Sequence, residues 1–192
     1  MEFESADQGL YLREDDVFNW SHPAIVALAA EIAERHSDDV GYARAAYERV
    51  RDSITHSWDA QDPRMSVTGS DALINGTGLC HAKSHLLIAL LRSRGIPAGM
   101  SYQRLTDDGR QFVIHGLVAV WLEGGWRRID PRGNKTDVNA QFSLTDEQLA
   151  WPVREELGEV DYRLIYAEAH PSVIAALEST SNVLQVQLPQ VI

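Results

Sequence analysis

The sequence contains a single cysteine, Cys80. It can form no internal disulfide, and one thiol is too few for a zinc ribbon. Long apolar runs are missing too. The longest, within Leu86–Leu91, falls far short of the ~20 residues that cross a bilayer. The start, Met1-Glu2-Phe3-Glu4-Ser5, has neither the basic residues nor the apolar stretch of a secretory signal. These absences predict a cytoplasmic protein with Cys80 reduced. Positive charge is scarce: 17 Lys plus Arg stand against 28 Asp plus Glu, a net charge of −11. Nucleic acid and anionic membranes demand concentrated cations, so neither is an expected partner. Neutral or cationic substrates are favoured. No EF-hand pattern occurs, which argues against calcium activation.

What is present is an ordinary globular composition: 192 residues, 44% hydrophobic and 23% charged. That length suits one domain with a sizeable core. No repeat or Ser/Gly linker divides it. The expectation is one domain over 1–192, with a core over about 21–140 and an extension over about 141–192.

Ser21-His22-Pro23 reads as a helix start, with Ser21 as cap. A second amphipathic helix begins near Ser37 or Asp38, carrying Val40, Ala43, Tyr47, Val50 and Ile54 on one face. Residues 56–69 read as a loop. A short helix capped by Ser70 ends by Gly76, and a buried helix follows over Cys80–Ser93, closed by Gly95 and Pro97. Then come strands: Ala98–Leu105, Phe112–Leu122 and Trp126–Asp130, the last two forming a hairpin. The tail predicts helices near Thr145–Ala150 and after Pro171. Helices first and antiparallel strands later make an α+β domain.

Three residues carry chemistry. Cys80 begins the buried helix, where the helix dipole and unpaired N–H groups favour a thiolate. His115 lies in a strand and could take the thiol proton, then protonate a leaving amine. Asp130 ends the next strand and could hold the second ring nitrogen. The Cys80 N–H is a ready oxyanion donor. One geometric problem stands against this set. A two-residue turn at Gly124-Gly125 pairs Ala119 with Asp130, about 13 Å along the strand from His115 at ~3.3 Å per residue. Asp130 then reaches His115 only through a bulge or a strong twist.

Gly76-Thr77-Gly78-Leu79-Cys80-His81-Ala82-Lys83-Ser84, followed by Arg92-Ser93-Arg94-Gly95-Ile96-Pro97-Ala98, resembles the nucleophile segment of the transglutaminase-like superfamily. His115-Gly116 resembles that family's histidine block, and Gly125-Trp126-Arg127-Arg128-Ile129-Asp130-Pro131 its Gly-Trp-x-x-x-Asp-Pro block. The resemblance spans roughly residues 40–135. It implies a papain-like fold and a Cys80–His115–Asp130 triad. It also implies cysteine-dependent acyl transfer or hydrolysis on peptide or glutamine amides through a thioester, with no cofactor. The family often follows its histidine with an alanine and an aromatic residue; here Gly116 and Leu117 stand instead. Many members use an upstream tryptophan as a second oxyanion donor, and Trp58 is the counterpart here. Tyr102 and Gln103, and Arg132 and Asn134 after Asp130, are candidate substrate contacts. The family includes crosslinkers, proteases, amidases and silent scaffolds, so a peptide-binding scaffold is the alternative function. A metal-binding protein using Cys80, His81 and His85 is a further one, although no metal is expected.

Overall fold

Helix ends are set by local side chains. The computed structural model describes residues 3–192. Helix α1 (Pro23–Ala33) is capped one residue later than expected, by the His22 Nδ1, which accepts from the Ala24 N–H at 3.2 Å. Helix α2 (Asp39–Ser53) starts where Asp38 accepts from the Gly41 N–H at 2.8 Å. The segment expected as a loop contains strand β1 (Thr55–His56) and a one-turn helix α3 (Ser57–Ala60). Sequence pattern misses both because a two-residue strand exists only through its partner. Helix α4 (Gly69–Asn75) is capped by Thr68, with Asp71 returning the bond, rather than by Ser70. Gly76 then turns the chain at φ 66° into strand β2 (Thr77–Gly78), which pairs in parallel with β1, His56 facing Gly78.

Helix α5 (Cys80–Ser93) is the buried helix expected, with the predicted ends. Every residue from Cys80 to Arg92 is buried. Helices α1, α2 and α4 pack on it, and so do strands β3 (Ala98–Thr106) and β4 (Phe112–Leu122). Its buried polar side chains are spent on neighbouring backbone. Lys83 Nζ donates to the Arg51 and Ile54 carbonyls at the end of α2. Arg92 donates to the carbonyls of Ala98, Arg13 and Ala167. Ser84 Oγ donates to Gly116. Lys83, Ser84 and Arg92 are therefore staples between layers.

The sheet runs β5–β4–β3–β6, all antiparallel, with β5 (Gly125–Ile129) and β6 (Val160–Asp161) at its edges. The β4–β5 turn uses Glu123-Gly124, at φ 50° and 77°, as a two-residue turn with both central residues left-handed. Leu122 therefore faces Gly125, and Val118 faces Ile129. This differs by one turn position from the expected register and moves Asp130 two residues closer to His115. The bulge that the sequence reading required is not needed.

The tail returns to the core. The helix expected near Thr145–Ala150 does not form, because its backbone is bonded elsewhere. The Ala150 N–H is donated to Asp130, the Leu144 carbonyl accepts from Arg127, and the Gln148 carbonyl accepts from Gln141. Helix α6 (Pro171–Glu178) forms as expected. Between them, Tyr166 pairs with Met100 of β3. A Cβ on Gly99 would lie 2.5 Å from the Tyr166 carbonyl and 2.8 Å from the Tyr11 ring. Gly99→Ala should therefore lower stability by about 1–3 kcal/mol in urea unfolding. An unchanged midpoint would show that the tail is not seated against β3 as described.

Candidate active site

Cys80 lies in the first turn of α5, at the base of an open cleft of roughly 840 Å³. Its residue is 6% exposed. Leu79, at the cap position, supplies no side-chain bond, so the first N–H groups of α5 have no capping partner. Beside the thiol stands His115 of β4. Its Nε2–H donates to Asp130 Oδ2 at 2.8 Å, which leaves Nδ1 as the nitrogen to exchange a proton with sulfur. Asp130 is fully buried. It also accepts from the Arg132 N–H at 3.0 Å and the Ala150 N–H at 3.1 Å. Trp151 sets its ring edge-on to His115, 5.2 Å between centroids, and Arg132 lies over the Trp151 ring.

The electrostatics favour an ion pair. Burial pushes the Cys80 thiol up, but His81, His115 and His56 outweigh it and hold the thiol well below its ordinary value. Burial also opposes charge on His115; the Asp130 carboxylate and the Cys80 thiolate overcome it and raise the imidazole to about 10. Each group thus favours the charged form of the other.

Two more histidines surround the thiol. His81 Nδ1 is 3.5 Å from the Cys80 sulfur, and its ring packs on Gly116. A Cβ on residue 116 would meet the His81 ring at 2.7 Å. This explains the glycine after His115: the imidazole occupies the space of a larger residue. His56 reaches the cleft from β1. His85, one turn along α5, turns away. Its Nδ1–H donates to the Val67 carbonyl at 2.6 Å, its ring packs on Phe18, and burial depresses it to about 3. Among the described residues, no group of three or more His, Cys, Asp or Glu side chains is arranged to hold a metal ion.

The remaining candidates divide. Arg132 borders the cleft and grips Asp59 with both terminal nitrogens, at 2.5 and 2.9 Å. Trp58 also borders it, but its indole N–H is already donated to the Val183 carbonyl at 3.3 Å. Tyr102 is buried behind the first turn of α5, its hydroxyl accepting from the His170 N–H. Gln103 faces His115 in the strand register, yet it is buried and donates to Asp161. Asn134 is exposed and ties its own loop to Ala140. Sequence reasoning missed His56, Asp59, Ala150 and Trp151. No local motif marks any of them; their place depends on the β1–β2 pairing and on the path of the tail.

Helices packed on an antiparallel sheet, with a thiol at a helix start facing a strand histidine, define a papain-like α+β protein. The chain belongs to the Transglutaminase-like superfamily, whose signature matches residues 26–131, more than half of its length. Among solved structures, it is similar to a candidate cysteine protease from Cytophaga hutchinsonii, with 15% identity and a TM-score of 0.50 over 68% of this chain. It spans 46% of that chain. The periplasmic domain of TgpA from Pseudomonas aeruginosa matches with 22% identity and a TM-score of 0.47, over 65% of this chain and 46% of that one. A structure described as a TGase matches with 15% identity and a TM-score of 0.48, over 88% of this chain and 51% of that one. At these identities the likeness concerns fold. No curated protein matches the chain.

The pair sets a pH window. The stabilising share of the raised His115 is complete below its ordinary value and is lost as pH rises through about 10. The share of the lowered Cys80 is present above the ordinary thiol value and is lost as pH falls through its lowered one. Iodoacetamide should thus alkylate Cys80 at a pH well below that at which an ordinary thiol reacts. His115→Ala should move the profile towards an ordinary thiol near ~8.5. A wild-type profile already centred there would contradict the ion pair.

Proposed function

We propose that this protein is a cysteine-dependent enzyme acting on the amide bonds of a peptide or protein. The observation that carries the reading is the 2.8 Å His115–Asp130 bond beside a thiol at an uncapped helix start, on an open cleft. Cys80 is the nucleophile, His115 the acid and base, and Asp130 the residue that orients the ring. The Cys80 sulfur attacks the carbonyl carbon of a backbone or glutamine amide, and the carbonyl electron pair moves to oxygen. Collapse restores the carbonyl and breaks the carbon–nitrogen bond. The imidazolium of His115 gives its proton to the departing amine, and a thioester remains on Cys80. Water then attacks the thioester, His115 takes its proton, and the sulfur leaves as thiolate.

Water is the acceptor favoured here over an amine; an acidic chain loose in a cytoplasm would do harm as an uncontrolled crosslinker. The exposed acids on the cleft rim, Asp107, Asp108 and Asp137, favour neutral or cationic substrates. Arg132, Lys135 and Arg154 also line the cleft, the first two bonded to Asp59 and the third to Glu159, so its acids still outnumber its bases by five to three.

Dimethylated casein, offered with and without a dansylated primary amine, tests both the activity and the acceptor. New N-termini or released ammonia, with no dansyl incorporated, identify hydrolysis; dansyl incorporation identifies transfer. Cys80→Ala and His115→Ala should each cost at least about 10³-fold in kcat/KM. Turnover that survives Cys80→Ala overturns the thiol mechanism. A wild type with an ordinary thiol and no turnover is a binding scaffold on the same fold.

A further inference from the structure

We propose that His56 is a further catalytic residue: its imidazole N–H donates to the oxyanion formed when Cys80 attacks a carbonyl. This rests on the acyl-transfer reading above.

The β1–β2 pairing sets His56 beside Gly78, at the entry to the turn that delivers Cys80. The His56 ring lines the same cleft as the thiol, with its side chain only 6% exposed. Its Nδ1 is buried and has no hydrogen-bond partner among the described residues. An unpaired buried ring nitrogen is costly, and native structures seldom leave one without a use. The nearest acid is Asp59, with Oδ2 at 3.9 Å, too far for a hydrogen bond. Both Asp59 oxygens already accept from Arg132, and Oδ1 also from Lys135.

An oxyanion hole is built from preorganised donors, commonly more than one. The uncapped Cys80 N–H supplies the first. Trp58, the sequence candidate for the second, spends its N–H on Val183 and instead packs edge-on against the His56 ring, at 6.2 Å. Two ring nitrogens near the thiol are buried without a partner among the described residues, His56 Nδ1 and His81 Nε2; the His81 ring is packed on Gly116, and of the two only the His56 ring lines the cleft. Burial holds this histidine below its ordinary value, despite the pull of Cys80 in the other direction. It is therefore neutral at pH 7, with one N–H to offer and no need to take the thiol proton. That proton belongs to His115, which has its own carboxylate. The two histidines thus have separate tasks on either side of the sulfur.

The test compares two reactions at Cys80. p-Nitrophenyl acetate acylates it: sulfur bonds to the carbonyl carbon, an oxyanion forms, and collapse expels p-nitrophenolate and leaves an acetyl thioester. Iodoacetamide alkylates it: sulfur displaces iodide from a saturated carbon, and no oxyanion forms. Both rates are measured at a pH where the thiol is ionised in every variant. His56→Leu should slow the p-nitrophenolate burst about 10²–10³-fold while leaving alkylation unchanged. His56→Gln, which restores an N–H donor, should recover most of the burst. Acylation and alkylation falling together in His56→Leu would overturn the proposal, because they would mark a structural or thiol-activating role. So would a glutamine variant as slow as the leucine variant, or a leucine variant as fast as the wild type. A wild type that alkylates at low pH but gives no burst would instead overturn the acyl-transfer reading, and this inference with it.

Discussion

A buried carboxylate must be fully bonded or it does not stay charged. Asp130 is wholly buried, and the site is arranged around satisfying it. Its three donors come from three parts of the chain: the His115 ring on β4, the Arg132 N–H two residues on, and the Ala150 N–H in the tail. Each bond fixes a segment. The first aligns the imidazole, the second turns the chain after β5, and the third draws the tail across the sheet. That turn aims the Arg132 guanidinium at Asp59, next to His56. The same carboxylate thus organises both flanks of the sulfur. Its charge is the chief influence that raises the His115 imidazole, against burial, to about 10.

Cys80 is held from the opposite side. Helix α5 is sheathed by helices and sheet, and its polar side chains are tied to the backbone of both layers. A helix stapled in this way cannot slide or rotate without breaking bonds in α2 and β4 together. Its first turn therefore meets the strand histidine in a fixed geometry. Preorganisation of this kind is what electrostatic stabilisation at a reacting centre requires, since no energy is spent on reorientation during reaction. Gly116 belongs to the same constraint. It lets the His81 ring fill the seam between α5 and β4, and so packs a second imidazole against the sulfur.

Much of this is legible in the residues. The glycine turn before Cys80, the ends of α5, the strand around His115 and the Asp130-Pro131 step are local signals, and the structure puts them where the pattern says. The hairpin is readable too, but residue preference places its turn one position too late, and the register with it. Glu123 adopts a left-handed conformation that residue preference would assign to Gly125. His56 and Trp151 were not legible. Each approaches the thiol or its histidine through a long-range contact, with no periodicity or spacing to announce it. The absent helix near Thr145–Ala150 has the same cause: tertiary bonds to Arg127, Asp130 and Gln141 claim a backbone whose local preference is helical. Tyr102 and Gln103 are the opposite case: both are buried, and strand alternation does not say which face a neighbouring segment will cover.

The attachment of the tail to Asp130 has a consequence in time. During synthesis Cys80, His115 and Asp130 emerge in that order, with Ala150 and Trp151 after them. Until the last two arrive, the carboxylate lacks one of its donors and the imidazole lacks the ring that lies against it. The final arrangement of the sulfur and its partners is therefore a late event in the life of the chain. A nascent polypeptide can display its cysteine among unfolded neighbours before the surroundings that sharpen its reactivity have been assembled.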